Sequence, residues 1–429
     1  MILKKIRIKN YKSIYDSGQI EVGPFNCFIG KNNSGKSAFL EAIYKINPFF
    51  SSQNIPYDIL DAPRNKIDFV NESTNIVEAD FELSNDEAEI IYQKFGNHCL
   101  KSKLIKITKN YSNQFTWNFE VDENVYINHI IFKRQIPDEF SKLFKDVISI
   151  DEALTKARNL VNPPKAVTSF INQLEILQLR SMKEEIIDGY LSSFLPKIYY
   201  LKNIPDFNNN LSLKYINKDL YSDINKESIN PSTAFCKLID ADIDELIFDG
   251  NSKEVQLKLE QMASQVNNDL LHLFPDYKSY KIRFDNKSII VDNNIVDSMF
   301  KIFIVDTLSN IEIPIEKFSS SFIYILSFMS TVQYLKFKNK NTIILAENPA
   351  CILHPENQKI FKESLKAKTT EQFQIFYTTQ SPFMLDNDDS NNICAVFNSS
   401  KNGTTVTQSL DLEKDDGTLK LLKLAELFK

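Results

Sequence analysis

The sequence predicts an α/β fold in which a long helical and antiparallel-β insertion separates two halves. Residues 30–37 form a glycine-containing loop between a strand-like and a helix-like segment. Residues 322–397 alternate between helical and strand patterns. In between, residues 76–83 and 103–121 alternate apolar and polar side chains, and residues 138–200 have mostly helical spacing. Because the α/β pattern is interrupted and then resumes, we expect the insertion to lie within one α/β unit.

The composition is that of an ordinary globular protein, with 43% hydrophobic and 25% charged residues. This excludes disordered and collagen-like classes, and 429 residues suggest two or three structural units. Lys and Arg number 50 against 56 Asp and Glu, which argues against a dedicated nucleic-acid-binding protein. Five scattered cysteines indicate a reducing compartment, and no apolar run approaches the ~20 residues of a membrane helix. We therefore expect a soluble cytoplasmic protein with no membrane partner.

The first half of the predicted α/β unit has strands before the glycine loop and a helix after it. Residues 2–9 alternate apolar and basic side chains, and residues 20–29 continue with strand character. After the loop, apolar residues recur at helical spacing, at Phe39, Leu40, Ile43 and Ile46. The local order is strand, glycine loop, helix.

The rest of the chain is predicted in the same way. Residues 203–232 are rich in Asn, Asp and Ser and predict a loop, whereas residues 254–274 predict a helix and residues 279–315 alternating strands. The later predicted segments are a helix at 322–335, a strand at 342–345, a helix at 355–365, and strands at 374–378 and 393–397.

The loop has the sequence of a phosphate-binding P-loop, G-x-x-x-x-G-K-[ST]. It consists of Gly30, Lys31, Asn32, Asn33, Ser34, Gly35, Lys36 and Ser37. The glycines let backbone amides turn onto phosphate oxygens, and the helix from Ala38 adds its positive end. Lys36 supplies charge for the β- and γ-phosphates, and Ser37 offers a hydroxyl to Mg²⁺. A chance match is the alternative, but the flanking strand and helix, and only nine glycines in the chain, favour an ATP and Mg²⁺ site.

Three further segments fit the same chemistry. The predicted strand at 343–345 leads through Ala346 to Glu347, an acid that an ATPase needs near Mg²⁺. The strand at 376–378 leads into a turn at Thr379, Gln380 and Ser381. Ser319, Ser320 and Ser321 open a helix whose free amides could reach a phosphate. Each segment alone is a weak signal, but their order behind a P-loop strengthens all three.

With these motifs the chain resembles the ATPase region of OLD-family proteins, relatives of SMC and RecF heads. The matching residues are the element Asn10-Tyr11-Lys12-Ser13, the Walker A loop Gly30–Ser37, the stretch Leu195–Tyr200, the signature-like Ser319–Phe322, the Walker B-like Glu347–Pro355 and the switch Thr378–Pro382. The resemblance implies an ABC-type ATPase head with an inserted arm. It also implies an N-terminal lobe at 1–135, a mainly helical insertion at 136–275 and a C-terminal lobe at 276–429.

The resemblance further implies that ATP lies between two subunits of a homodimer or higher homo-oligomer. The P-loop of one subunit would face Ser320 and Ser321 of the other. Glu347 would hold Mg²⁺ together with Ser37, and Asn348 and Gln380 would occupy catalytic positions. Tyr11 is a candidate for stacking on the adenine.

This chain departs from the family pattern at three of these positions. Ser321 replaces the signature glycine, Asn348 replaces the second Walker B acid, and Gln380 replaces the switch histidine. An amide can orient water but cannot act as a base, so ATP binding is expected to survive while hydrolysis is slow or conditional. In the alternative alignment, shifted by one residue, Glu347 would be the general base and Ala346 would replace the Mg²⁺ ligand.

OLD-family proteins generally continue into a Toprim nuclease domain, and the chain ends about where that domain would begin. We therefore expect a separate nuclease subunit, and the resemblance places the protein in a DNA-related or antiphage defence system. The acidic stretch at 240–244 is better explained as a solvated helix start than as a metal site. DNA could contact a basic strip, although a solvated edge is the commoner role of such residues: Lys4, Lys5, Arg7, Lys9, Lys12, Lys336, Lys338 and Lys340.

Two other function classes stay open. The protein could be a fully active ATPase that DNA stimulates, or a pseudo-ATPase scaffold that no longer uses nucleotide.

Overall fold

The computed structural model describes residues 1–50, 56–160, 162–202, 211–214, 229–238, 253–269, 274–292, 294–339, 341–385 and 392–408. The chain divides into two units. The first comprises Met1–Asn10, Gln19–Val22 and Tyr57–Pro196, and the second comprises Tyr11–Gly18, Gly23–Pro56 and Lys197–Lys429.

The strands are, in chain order, β1 (Ile2–Tyr11), β2 (Ile14–Asp16), β3 (Ile20–Glu21), β4 (Phe25–Ile29), β5 (Asn75–Glu82), β6 (Leu104–Asn110), β7 (Phe115–Asn118), β8 (Lys197–Leu201), β9 (Leu211–Ser212), β10 (Tyr280–Val291), β11 (Asn294–Asp306), β12 (Ile311–Pro314), β13 (Thr342–Ala346), β14 (Phe373–Thr379), β15 (Ile393–Ser399) and β16 (Gly403–Thr407). The α-helices are α1 (Lys36–Tyr44), α2 (Asn85–Phe95), α3 (Glu123–Lys133), α4 (Asp138–Phe144), α5 (Ile150–Arg158), α6 (Lys165–Leu179), α7 (Met182–Ile186), α8 (Ser192–Phe194), α9 (Pro231–Leu238), α10 (Lys253–Asp269), α11 (Ser320–Lys338) and α12 (Pro355–Lys366).

The first unit contains an antiparallel sheet in the order β7-β6-β5-β1-β3, together with helices α2 to α8. Alternate side chains of β1 and β5 are buried, which matches the alternating pattern that predicted these strands. Helix α2 was not predicted, although a capping box marks its start. The Glu87 amide donates to Ser84 Oγ (3.3 Å) and the Ser84 amide donates to Glu87 Oε2 (2.9 Å).

The second unit contains the sheet that carries the P-loop. Its order is β2-β16-β15-β4-β14-β13-β8, and the five strands from β15 to β8 are parallel. All residues of β4, β13 and β14 are buried, which explains why each strand has consecutive apolar residues, at 27–29, 343–346 and 375–377, in place of alternation. A smaller sheet of β10, β11 and β12, with β9 on β11, belongs to the same unit.

The structure differs from the sequence prediction in a few elements. The predicted strand at 20–29 is divided into β3 and β4, because Gly23 and Pro24 interrupt it. The helical prediction for 138–200 is wrong at its end, where Pro196 stops the helix and β8 pairs in parallel with β13. Strand β16 and helix α3 were not predicted. Most of the loop predicted at 203–232 lies outside the described residues, as does the acidic stretch at 240–244.

The predicted division into lobes and an insertion, with boundaries at residues 135 and 275, stays a prediction. The two units are defined by contacts between residues, and such units do not show which segment is inserted into which. Within the described part of the chain, no helix combines the length and the apolar character needed to cross a membrane.

Replacing Ser84 by alanine is expected to destabilise the first unit by about 1 kcal/mol, because the first turn of α2 loses its cap. The single tryptophan, Trp117, lies on β7 of this unit, so its fluorescence during urea unfolding measures the change. The exposed Glu89→Gln on the same helix is the control and should shift stability by less than about 0.5 kcal/mol. Equal transitions for Ser84→Ala and wild type would contradict the role of the cap.

Candidate nucleotide-binding site

The P-loop joins the end of β4 to the start of α1, and both of its glycines are sterically required. A Cβ on Gly30 would lie 2.4 Å from Val396 O, and a Cβ on Gly35 would lie 2.2 Å from Thr404 Oγ1. Gly35 also has a φ of 99°, in the left-handed region that side chains disfavour. Asn33 is left-handed as well, with a φ of 60°. Such alternation of backbone conformation turns successive amides toward one concave side, which suits an anion.

Lys36 is held inside the loop. Its side chain is 6% exposed, and Nζ donates to Gly30 O (2.7 Å) and Lys31 O (2.6 Å). Burial lowers the pKa of Lys36 below its ordinary value, while the charge of Glu347 acts in the opposite direction. An added phosphate would favour the charged amine, so this lysine is suited to bind one.

Ser34 supplies the test of whether a nucleotide fits. The residue is 5% exposed, and its Oγ is buried with no hydrogen-bond partner in the described structure. Buried polar atoms without partners are rare and require an explanation. A concave loop without Cβ atoms at Gly30 and Gly35, an enclosed amine and an orphaned hydroxyl together fit a phosphate group.

Glu347 follows β13 and is held by two donors. Ser37 Oγ donates to Glu347 Oε1, and Tyr200 Oη donates to Glu347 Oε2 (2.6 Å). Burial, the largest cause, and the carboxylate both raise the pKa of Tyr200, so its hydroxyl stays a donor. Leu195–Tyr200 is one of the segments that resemble OLD-family proteins, but the resemblance assigned no role to Tyr200. The structure adds it to the site.

The turn after Glu347 has unusual backbone geometry. Asn348 has a φ of 44° and Ala350 a φ of 61°, both left-handed. The backbone amide of Asn348 donates to Thr378 Oγ1 (2.9 Å), and the backbone amide of Ala350 donates to Tyr324 Oη (2.8 Å). Cys351, the next residue, is exposed, whereas the other four cysteines are buried. These hydrogen bonds fix a strained turn directly beside the acid.

Gln380, just after β14, contacts the P-loop, since its Nε2 donates to Asn32 Oδ1. The structure therefore brings together the P-loop, Glu347, Asn348 and Gln380. Ser320 and Ser321 lie in the first turn of α11, where Ser321 Oγ donates to Ile352 O (3.5 Å). Within the described ranges, no hydrogen bond links these two serines to the P-loop.

Tyr11 is not available to stack on an adenine, which corrects that expectation. Its side chain is 0% exposed, and its hydroxyl donates to Glu41 Oε1 (3.0 Å).

The positive charge of the N-terminal basic strip is largely compensated, because four of its cations form ion pairs. The pairs are Lys4–Glu82 (3.2 Å), Lys5–Glu21 (2.6 Å), Lys9–Glu78 (2.6 Å) and Lys12–Glu41 (2.5 Å). These lysines are therefore better explained as a solvated, charge-paired surface, although β1 lies between β5 and β3 and is not the edge strand that was expected.

No group of three or more His, Cys, Asp or Glu side chains among the described residues is arranged to hold a metal ion. The acid with which the site could hold Mg²⁺ is Glu347, beside the Ser37 hydroxyl. This donor set resembles the Mg²⁺ shell of P-loop enzymes, in which a hydroxyl, one acid and phosphate oxygens complete the coordination.

The parallel sheet and the glycine loop at the end of β4 define a P-loop protein with an α/β fold, which confirms the predicted α/β class. The chain belongs to the family described as AAA ATPase domain, whose model matches residues 1–385.

Two curated relatives are similar over parts of the chain. The DNA double-strand break repair Rad50 ATPase of Methanocaldococcus jannaschii is 31% identical over 200 residues, 45% of this chain and 18% of that protein. The DNA replication and repair protein RecF of Phocaeicola vulgatus is 44% identical over 59 residues, 14% of this chain and 15% of that protein. The chain thus spans less than a fifth of the length of either relative. A solved SMC head bound to the C-winged helix domain of ScpA aligns over 96% of this chain and 99% of that one, at 14% identity and with a TM-score of 0.43.

Replacing Gly35 by alanine is expected to abolish nucleotide binding, because the new Cβ would overlap Thr404 and the backbone φ of 99° is strained for alanine. Titration with a fluorescent ATP analogue measures the loss. Gly189→Ala is the matched control, since a Cβ there meets nothing within 4 Å. Undiminished binding by Gly35→Ala would show that nucleotide does not use this loop.

Proposed function

We propose that the protein is an ABC-type ATPase of the OLD-like class that binds Mg-ATP and responds by closing a homodimer, with slow or conditional hydrolysis. One observation carries this proposal. Lys36 is enclosed by the P-loop and Ser37 contacts Glu347, so each group expected to bind phosphate and Mg²⁺ is present, whereas the neighbouring position for a base holds the side-chain amide of Asn348.

The residues of one chain suffice to bind the ground state of the nucleotide. The amides of Gly30–Ser37 and the amine of Lys36 would hold the phosphates. Ser37 and Glu347 would hold Mg²⁺, with Tyr200 fixing the orientation of the carboxylate. When bound, Mg²⁺ supplies charge that offsets the phosphate oxygens. Binding therefore needs no residue that this chain lacks.

The contacts of Glu347 favour the Mg²⁺ role over the role of general base. Both of its oxygens already accept hydrogen bonds, from Ser37 and Tyr200. The alternative alignment would put Ala346 in the Mg²⁺ position, but Ala346 is the fully buried last residue of β13 and has no oxygen ligand in its side chain.

Hydrolysis then depends on two residues whose side chains end in an amide. Asn348 and Gln380 can orient water, but neither can accept its proton at neutral pH. Loss of a positioned base typically costs about 10²–10⁴-fold in rate. A closed state held by ATP would therefore persist for longer than in an efficient ATPase, which suits a nucleotide-gated switch.

The partners follow from the family resemblance. Ser320 and Ser321 would face the ATP bound by a second copy. The Rad50 and RecF relatives are named as DNA repair proteins, which supports a DNA-related role, and the OLD-like motifs support antiphage defence with a separate nuclease subunit. A DNA-stimulated active ATPase is the second candidate, and the same relatives favour it. The compensated N-terminal strip argues against DNA binding by those lysines.

Asn348→Glu is expected to raise the rate of phosphate release at least tenfold, because it adds a carboxylate at the position of the base. Asn348→Gln is the matched control, since it has the same length and backbone strain but no basicity. Release is measured from purified protein with Mg-ATP, with and without duplex DNA, beside Lys36→Ala.

Rapid wild-type turnover that Lys36→Ala abolishes would contradict slow hydrolysis and favour the active ATPase. If Lys36→Ala changed no property of the protein, including its ATP-dependent self-association, the pseudo-ATPase scaffold would replace this proposal.

Tyr200→Phe is expected to raise the Mg²⁺ concentration for half-maximal ATP binding by about tenfold, because Glu347 loses the donor that orients it. The measurement is an ATP-analogue titration at increasing Mg²⁺. Tyr199→Phe is the control, since that hydroxyl accepts from the Ile229 amide (3.4 Å) instead. Equal Mg²⁺ dependence in both variants would remove Tyr200 from the site.

A further inference from the structure

The hairpin of β15 and β16 lies beyond residues 1–385, which the family model matches, yet it contacts the P-loop repeatedly. Val396 O and Thr404 Oγ1 occupy the space that a Cβ on Gly30 or Gly35 would need. Asn398 Nδ2 donates to Asn33 O (3.2 Å). The hairpin therefore excludes a side chain at Gly30 and Gly35 and contacts the loop backbone at Asn33.

Thr404 makes the most enclosed of these contacts. The residue is 0% exposed, and its Oγ1 donates to Ser34 O (3.0 Å). Oγ1 also lies 2.9 Å from Ser13 Oγ, and the Thr404 amide donates to Ser13 O (2.7 Å). Because a carbonyl oxygen only accepts, the proton of the Thr404 hydroxyl is directed to Ser34 O.

This hydrogen bond sets the direction of one amide of the loop. In a trans peptide the C=O and the following N–H point to opposite sides. Holding Ser34 O toward Thr404 therefore turns the Gly35 N–H away from the hairpin. The absence of a Cβ on Gly35 lets the hairpin come close enough to do this.

We propose that Thr404 is a positioning residue for phosphate binding, which acts by fixing the Ser34–Gly35 peptide, and that hairpin 393–407 is thereby coupled to nucleotide occupancy. This inference rests on the proposed binding of Mg-ATP at the P-loop. Since coupling between sites is reciprocal, bound nucleotide should also protect the hairpin amides from exchange.

The test compares Thr404→Val, which replaces the hydroxyl with a methyl group, with Thr404→Ser, which keeps the hydroxyl and removes the methyl group. Thr405→Val, on the neighbouring residue of β16, is the matched control. Hydrogen–deuterium exchange of residues 30–38 is measured without nucleotide, and the Kd for Mg-ATP is measured by calorimetry. Thr404→Val should exchange faster in residues 30–38 and bind about three- to tenfold more weakly, as expected for one lost hydrogen bond. Thr404→Ser and Thr405→Val should match wild type in both measurements.

Equal loop exchange in Thr404→Val and wild type would overturn the inference, as would a Thr404→Ser variant as impaired as Thr404→Val. Failure of the proposed function gives a different result. In that case wild-type protein does not bind Mg-ATP, while the loop exchange of Thr404→Val still differs from that of Thr404→Ser, which supports only the part of the inference that Thr404 fixes the Ser34–Gly35 peptide.

Discussion

The hydrogen bonds that hold the carboxylate of Glu347 are the constraint on which the rest of the site depends. Ser37 comes from α1, Glu347 from the end of β13 and Tyr200 from β8, so one side chain joins three elements. Tyr200 and Glu347 are 147 residues apart in sequence. The parallel pairing of β8 with β13 brings them together, and the Glu347 amide extends that pairing by donating to Leu201 O (3.1 Å). The sheet therefore sets the geometry before any ligand binds.

The parts of the fold that sequence predicted are those whose signals are local. The P-loop is a contiguous motif, and β4, β13 and β14 each contain consecutive apolar residues because both faces of each strand are buried. What sequence missed depends on distant partners. The role of Tyr200 requires knowledge of how β8 pairs. The burial of Tyr11 and the ion pairs of Lys5 and Lys9 are likewise decided by residues elsewhere in the chain.

The presence of an asparagine at position 348, where the family has an acid, can be explained by backbone conformation as well as by catalysis. Asparagine is one of the few residues with a side chain that adopts the left-handed backbone readily, and Asn348 has a φ of 44°. An acid at this position would gain basicity at some cost in backbone strain. Ala350, also left-handed, lacks this tolerance, and its backbone amide is held by Tyr324. The backbone strain is therefore confined to the turn after Glu347, while strands β13 and β14 beside it pair regularly.

The exposure of Cys351 has a practical consequence for spectroscopy. The other four thiols, Cys27, Cys99, Cys236 and Cys394, are buried, and burial raises the pKa of Cys99 and Cys394 to about 12. A maleimide dye would therefore attach selectively to the wild-type protein at Cys351, four residues after the site acid. A single label placed there without mutagenesis would report movements of the turn in real time, including the approach of an identical dye on a second copy.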